Sequence, residues 1–149
     1  MPNTYTQIVY HIVFSTKNRQ PAIKKDRRDD FYAYVWGIHK KLKCHLCRIG
    51  GIEDHVHILT ALHPTLSLAE YVEKIKTGST NWIRRERVYP GWPGWQDGHG
   101  AFTVSWKDRD AVIDYIKNQA AHHEKVEWLD EYRALLEQNG VAYDERYLA

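Results

Sequence analysis

The sequence predicts an α+β domain in which an antiparallel sheet is packed by helices. Three observations predict it. Short stretches of period-two apolar alternation recur along the 149 residues, stretches of helical period separate them, and Gly, Pro and Asx residues punctuate the joins. A chain of this length with 43% hydrophobic and 13% aromatic residues makes one globular domain with a real core. No repeat, low-complexity tract or linker divides it, so residues 1–149 are read as a single domain.

Thr4–Phe14 alternates, with Ile8, Tyr10, Ile12 and Phe14 on one face and Gln7, Val9, His11 and Val13 on the other, which predicts a strand. Ser15–Pro21 reads as a loop. From Lys25 to Lys43, Phe31, Tyr34, Val35, Ile38 and Leu42 recur at helical spacing. Asp29 and Asp30 at the start and Lys40, Lys41 and Lys43 at the end suit the helix dipole. Cys44–Ile49 reads as a second strand, Gly50-Gly51 as its turn, and Ile52–Leu62 as a third strand antiparallel to the second. Ser67-Leu68-Ala69-Glu70 is a capping box, so a helix starts there, with Gly78-Ser79 a point of break or kink. Residues 89–100 form a turn-rich loop and Ala101–Ser105 a short fourth strand. Asp108–Val126 reads as a long helix, Leu129–Gln138 as another, and Tyr143–Ala149 as a tail. The order β-α-β-β-α-β-α is that of a split βαβ, ferredoxin-like unit extended by C-terminal helix.

Composition narrows the setting. No run of about 18 apolar residues is present, and the first residues lack the basic and apolar regions of a signal peptide, so a cytoplasmic protein is expected. Cys44 and Cys47 form a lone Cys-x-x-Cys without the second pair of a structural zinc site, and read as small residues of a strand. Net charge is +2, but residues 1–50 carry ten Lys/Arg against three Asp/Glu, while residues 107–149 carry six against ten. The first part of the chain thus offers a basic surface able to meet phosphates, or an ordinary solvated one.

Glu53-Asp54-His55-Val56-His57-Ile58-Leu59 puts two imidazoles two residues apart, on one face of a strand whose other face is apolar. That is half a metal site, and equally a structural pair, until more donors are found. Tyr115 and Gln119 stand at i and i+4 in the last long helix, and so share a face. An amide oxygen can complete a His-His-Gln site, and a phenol beside it can attack a phosphate that the metal polarises.

Five segments, Tyr10-His11-Ile12-Val13-Phe14-Ser15-Thr16-Lys17, Ile49-Gly50-Gly51 with Asp54-His55-Val56-His57, Ile75-Lys76 with Ser79 and Trp82, residues 95–102, and Tyr115-Ile116-Lys117-Asn118-Gln119 with His122-His123, lie in the order and spacing of one family. The chain resembles the single-tyrosine HUH transposases (the IS200-like family of small insertion sequences that move as single-stranded DNA) and their relatives associated with repetitive extragenic palindromes. His99 departs from the pattern, standing in the loop where tyrosine is expected.

The resemblance implies that His55, His57 and Gln119 bind one Mg²⁺ or Mn²⁺, and that Tyr115 attacks the scissile phosphate to leave a 5′-phosphotyrosine and a free 3′-hydroxyl. It implies single-stranded hairpin DNA as partner, no membrane, and a homodimer whose active sites are completed across the dimer. Lys17, Lys76 and Arg84 are candidates for phosphate contacts and Trp82 for base stacking. His122 and His123 are read either as supports of the site or as helix surface. Three other readings stand beside this one: a relative with a host role at extragenic palindromes, a metal-dependent phosphohydrolase without a tyrosine nucleophile, and a non-catalytic hairpin-DNA-binding protein.

Overall fold

The computed structural model describes residues 4–148. Four strands, β1 (Val9–Ser15), β2 (His45–Ile52), β3 (His55–Ala61) and β4 (Gly100–Val104), form one sheet in the order β2-β3-β1-β4, with every neighbouring pair antiparallel. Two long helices, α1 (Arg28–Leu42) and α2 (Leu68–Arg85), make the crossovers. Three more follow β4: α3 (Arg109–Lys117), the single turn α4 (Gln119–His122) and α5 (Trp128–Gln138). This is the expected α+β, ferredoxin-like arrangement with a helical extension.

Both faces of the sheet are covered. Ile12, Phe14, Val56 and Ile58 pack with Phe31, Val35, Val72, Ile75 and Ile83 of α1 and α2. On the opposite face, Val9 and Leu59 meet Ile116 of α3, while Val13 and Phe102 meet Trp128 and Leu136 of α5. The alternation in the first strand therefore separates two cores, not core from solvent, and Ile8 lies outside the strand, exposed.

Three local expectations are corrected. Gly50-Gly51 is not a turn; β2 runs through both to Ile52, and Glu53-Asp54 makes the turn. The reason is close approach: a Cβ at Gly50 would lie 2.8 Å from both the Cγ2 and the carbonyl oxygen of Ile116, so only glycine lets α3 sit this near the sheet. α2 runs unbroken through Gly78-Ser79, its start held by Ser67 Oγ accepting from the Glu70 amide at 3.1 Å. The helix expected over 108–126 is interrupted, because Asn118 leaves helical geometry (φ −97°, ψ 21°) and separates α3 from α4. Cys44 and Cys47 are free thiols, the first buried and the second half-buried. Among the described residues, no helix is long and apolar enough to cross a membrane.

Candidate active site

The imidazoles are set by strand register. β1 and β3 pair Val13 with His57 and Ser15 with His55, so His55, His57 and His11 share the face that α3 and α5 cover. His55 and His57 are wholly buried and His11 nearly so. Thr16 pins the turn before β3, its amide donating to the Asp54 carbonyl at 2.9 Å while its hydroxyl donates to the Gln20 carbonyl at 2.6 Å, and the Asp54 carboxylate lies 2.7 Å from His55 Nδ1. His57 Nδ1 lies 2.8 Å from His11 Nε2. In each ring Nδ1 is thereby engaged and Nε2 is turned into the same chamber.

The helices bring the oxygen groups. Gln119, at the start of α4, is buried with its Oε1 3.0 Å from His55 Nε2. Its Nε2 donates to Glu131 Oε2 at 3.0 Å, which fixes the amide with oxygen toward the imidazoles. Tyr115 in α3 stands beside His57 and His11, ring centroids 5.5 and 6.0 Å away, and its hydroxyl donates to Glu131 Oε2. The break at Asn118 does not separate Tyr115 from Gln119; both reach the same chamber. All four residues expected to carry chemistry therefore meet, and they do so within one chain.

Three more residues join them: Glu131 and His11, not assigned from sequence, and His123, which the sequence left open between support and helix surface. Glu131 of α5 is 3% exposed, with Oε1 3.2 Å from His57 Nε2, 3.3 Å from His55 Nε2 and 2.8 Å from His123 Nε2. His123 supports the site, its Nε2 also 3.0 Å from Gln119 Oε1 and its Nδ1 against the Val126 carbonyl. His11 is the third. A signal for Glu131 was present: Trp128, Tyr132 and Leu135 place it on the apolar stripe of its helix, where an acid must have a polar partner. Trp128 stacks on His55 at 4.2 Å and 13°, and Tyr132 stacks on Trp128 in turn. A cleft of about 830 Å³, lined by Ile8, His11, Phe102, Tyr115, His122 and Glu131 among others, reaches the phenol from outside.

Burial and neighbours set the charges. Desolvation lowers His57 to a pKa of about 4 and His11 to about 3. For His55 the burial that would lower it is outweighed by hydrogen bonds with Asp54 and Glu131, and its pKa rises to about 9. Burial would also raise Glu131, but hydrogen bonds with His123, His55 and His57 hold the carboxylate well below its usual range. Burial first, then the Glu131 charge, push the Tyr115 phenol well above its ordinary value.

The chamber suits a divalent ion. His55, His57 and Glu131 each offer a ligand atom, all within 4.8 Å of one another. The 3.0–3.3 Å donor separations around His55 and His57 equal the edge, about 3 Å, of an octahedron with bonds of about 2.1 Å. The same separations serve hydrogen bonds when no ion is bound.

The nucleic-acid candidates are placed elsewhere. Lys17 and Arg84 are exposed at the start of a 3₁₀ turn (Lys17–Arg19) and near the end of α2. Lys76 is half-buried, its Nζ donating to the carbonyls of Gln96 and Gly98 at 2.9 and 2.8 Å, so its ammonium holds the chain's own loop. Trp82 is stacked on Tyr34 at 4.7 Å and 8°.

Comparison with known proteins bears on the fold and the family. The family model described as Transposase IS200 like matches residues 4–119. The ISDra2 transposase TnpA of Deinococcus radiodurans is 24% identical over 120 residues, covering 76% of this chain and 84% of the relative. A crystal structure of a candidate transposase from D. radiodurans superposes with a TM-score of 0.61 at 24% identity, over 78% of this chain and 95% of that one. A REP-associated tyrosine transposase bound to a REP hairpin gives 0.63 at 14% identity, over 83% and 76%. With most of its length matched by one family model and its fold shared with transposase structures, the chain belongs to the IS200-like transposase family.

Proposed function

We propose that the protein cleaves and rejoins single-stranded DNA beside hairpins through a covalent link to Tyr115. The observation that carries this reading is the meeting of the Tyr115 hydroxyl with His55, His57 and Gln119, about sixty residues apart in sequence, in one chamber open to a cleft. The hairpin bound by the REP-associated structural neighbour supports DNA of that form as substrate.

His55, His57 and Gln119 would hold the ion, Mg²⁺ or Mn²⁺. When bound, such an ion withdraws charge from a non-bridging phosphate oxygen and so makes phosphorus a better electrophile. Asp54 accepting from His55 Nδ1–H, and His11 from His57 Nδ1–H, keep both Nε2 lone pairs aimed at that position. Tyr115 Oη forms the bond to phosphorus, and the bond from phosphorus to the 3′-oxygen breaks. The phenol proton leaves toward Glu131 Oε2, its present acceptor, and the departing 3′-oxygen takes up a proton. The product is a 5′-phosphotyrosine and a free 3′-hydroxyl. Attack by another 3′-hydroxyl reverses the step and joins strands without ATP. Lys17 and Arg84 stay as candidates for phosphate contacts, and Trp82 and Lys76 act through the surface they brace. A homodimer with sites completed across it belongs to the same reading; within the single chain described, Tyr115 stands beside His57.

The test is a denaturing gel with labelled hairpin DNA. A metal-dependent, SDS-resistant adduct is expected from the wild type and none from Tyr115→Phe. Cleavage without an adduct makes the protein a phosphohydrolase, and tight binding without cleavage under any divalent ion makes it a hairpin-binding protein. For the dimer, Tyr115→Phe mixed with His57→Ala regains adduct formation only if helices are exchanged between subunits.

A further inference from the structure

We propose that Glu131, delivered by α5, is itself a ligand of the divalent ion, so that the centre comprises His55, His57, Gln119 and a carboxylate. The inference rests on the metal centre proposed above and adds to it a residue that lies beyond the 4–119 stretch matched by the family model.

Geometry is the first ground. Glu131 Oε1 stands within 3.3 Å of both Nε2 atoms that the strand turns inward, and the three groups satisfy the mutual spacing of a metal-binding set. The two oxygens divide their contacts. Oε1 faces the imidazoles of His55, His57 and His123, while Oε2 takes the Tyr115 hydroxyl and the Gln119 amide. Binding an ion through Oε1 therefore leaves the orientation of the nucleophile and of the amide ligand intact.

Charge is the second ground. Among the described residues, the basic groups within ion-pair distance of Glu131 are all histidines, with no Lys or Arg. In the metal-free protein His55 beside Oε1 balances this buried carboxylate, and a divalent ion bound by both would take over that charge. The donor chemistry points the same way. Two imidazoles and an amide are neutral, a poor set for hard Mg²⁺ or Mn²⁺; one carboxylate supplies the hard anionic oxygen that such ions require.

The last ground is mechanical. The Trp128 indole lies flat on the His55 ring one helical turn before Glu131, so α5 is docked against a histidine of the centre at two points. Ion binding should thus hold α5 in place.

The experiment titrates metal-free protein with Mn²⁺ by calorimetry, and with Mg²⁺ by competition. Glu131→Gln, which keeps shape and hydrogen bonding, should weaken Mn²⁺ at least tenfold and Mg²⁺ by a larger factor, because the harder ion depends more on the carboxylate. Binding within threefold of wild type overturns the proposal. A second measurement needs no variant: saturating Mn²⁺ should slow tryptic cleavage at Lys125 and Arg133 of the wild type, and an unchanged rate overturns the docking of α5 by metal. His57→Ala separates the two layers of argument. If His57→Ala binds Mn²⁺ as the wild type does, the metal centre itself is misplaced; if it loses Mn²⁺ while Glu131→Gln keeps it, the centre stands and Glu131 is not part of it.

Discussion

At the scale of single residues, the site depends on the groups that hold its histidines as well as on the histidines themselves. Asp54 and His11 each engage the Nδ1 of one inward-facing histidine. Losing such a partner commonly costs ten- to a hundredfold in metal affinity. Asp54→Asn should therefore weaken Mn²⁺ by at least tenfold while circular dichroism stays unchanged; unaltered affinity would mean that the His55 tautomer is not controlled from Asp54. The residues legible in the sequence were those whose spacing is itself a signature. His55 and His57 obey the strand period, and Tyr115 and Gln119 the helical one. His11 carries no such mark, since its partner His57 is remote in sequence, and Glu131 carries only its place on an apolar stripe, which asks for a polar partner without naming one.

At the scale of elements, two glycines decide how closely the tyrosine helix and the last helix approach the sheet. A Cβ at Gly50 would meet the backbone carbonyl of Ile116 at 2.8 Å, whereas at Gly100 it would meet the side chains of Tyr132 and Val13 at 2.8 and 2.9 Å. A backbone atom cannot rotate away, and a ring or methyl can shift in part. Gly50→Ala should thus lose about 2–3 kcal/mol in urea unfolding and displace Tyr115, and Gly100→Ala about 1–2 kcal/mol, within the usual range for overpacking. Equal losses would remove the distinction. Gly-Gly in the sequence resembles a hairpin turn because glycine serves both tight turns and close approaches, and only the position of α3 separates the two uses. The capping box at Ser67 was legible for the opposite reason, since its hydrogen bond is local.

At the scale of the whole molecule, a buried histidine cluster ties stability to pH. His11 and His57 have folded-state pKa values near 3 and 4, below the ordinary 6.5. Below pH 6.5 the unfolded chain binds protons that the folded chain refuses, so stability falls on acidification. His55 runs the other way, with a folded pKa of about 9. Its stabilisation is complete below pH 6.5 and is lost as pH rises toward 9. The metal-free protein should be most stable near pH 6.5, with the acid limb the steeper because two histidines act there, joined in the ordinary carboxylate range by Glu131, against one histidine on the alkaline limb, each up to about 1.4 kcal/mol per pH unit. Thermal melts in a chelator across pH 4–9 check this, and a flat profile would show that the cluster is not held in these protonation states. Fold class was legible at this scale because strand and helix order alone selects the split βαβ unit; the covering of both sheet faces was not, because it depends on where the last helices dock.

That docking also makes the chamber depend on segments far apart in the chain. The chamber draws on His11 near the start of the chain and Glu131 eighteen residues from its end, with β3, α3 and α4 between. A chain truncated before α5 therefore carries the histidines and the tyrosine without Glu131, and so without the completed chamber.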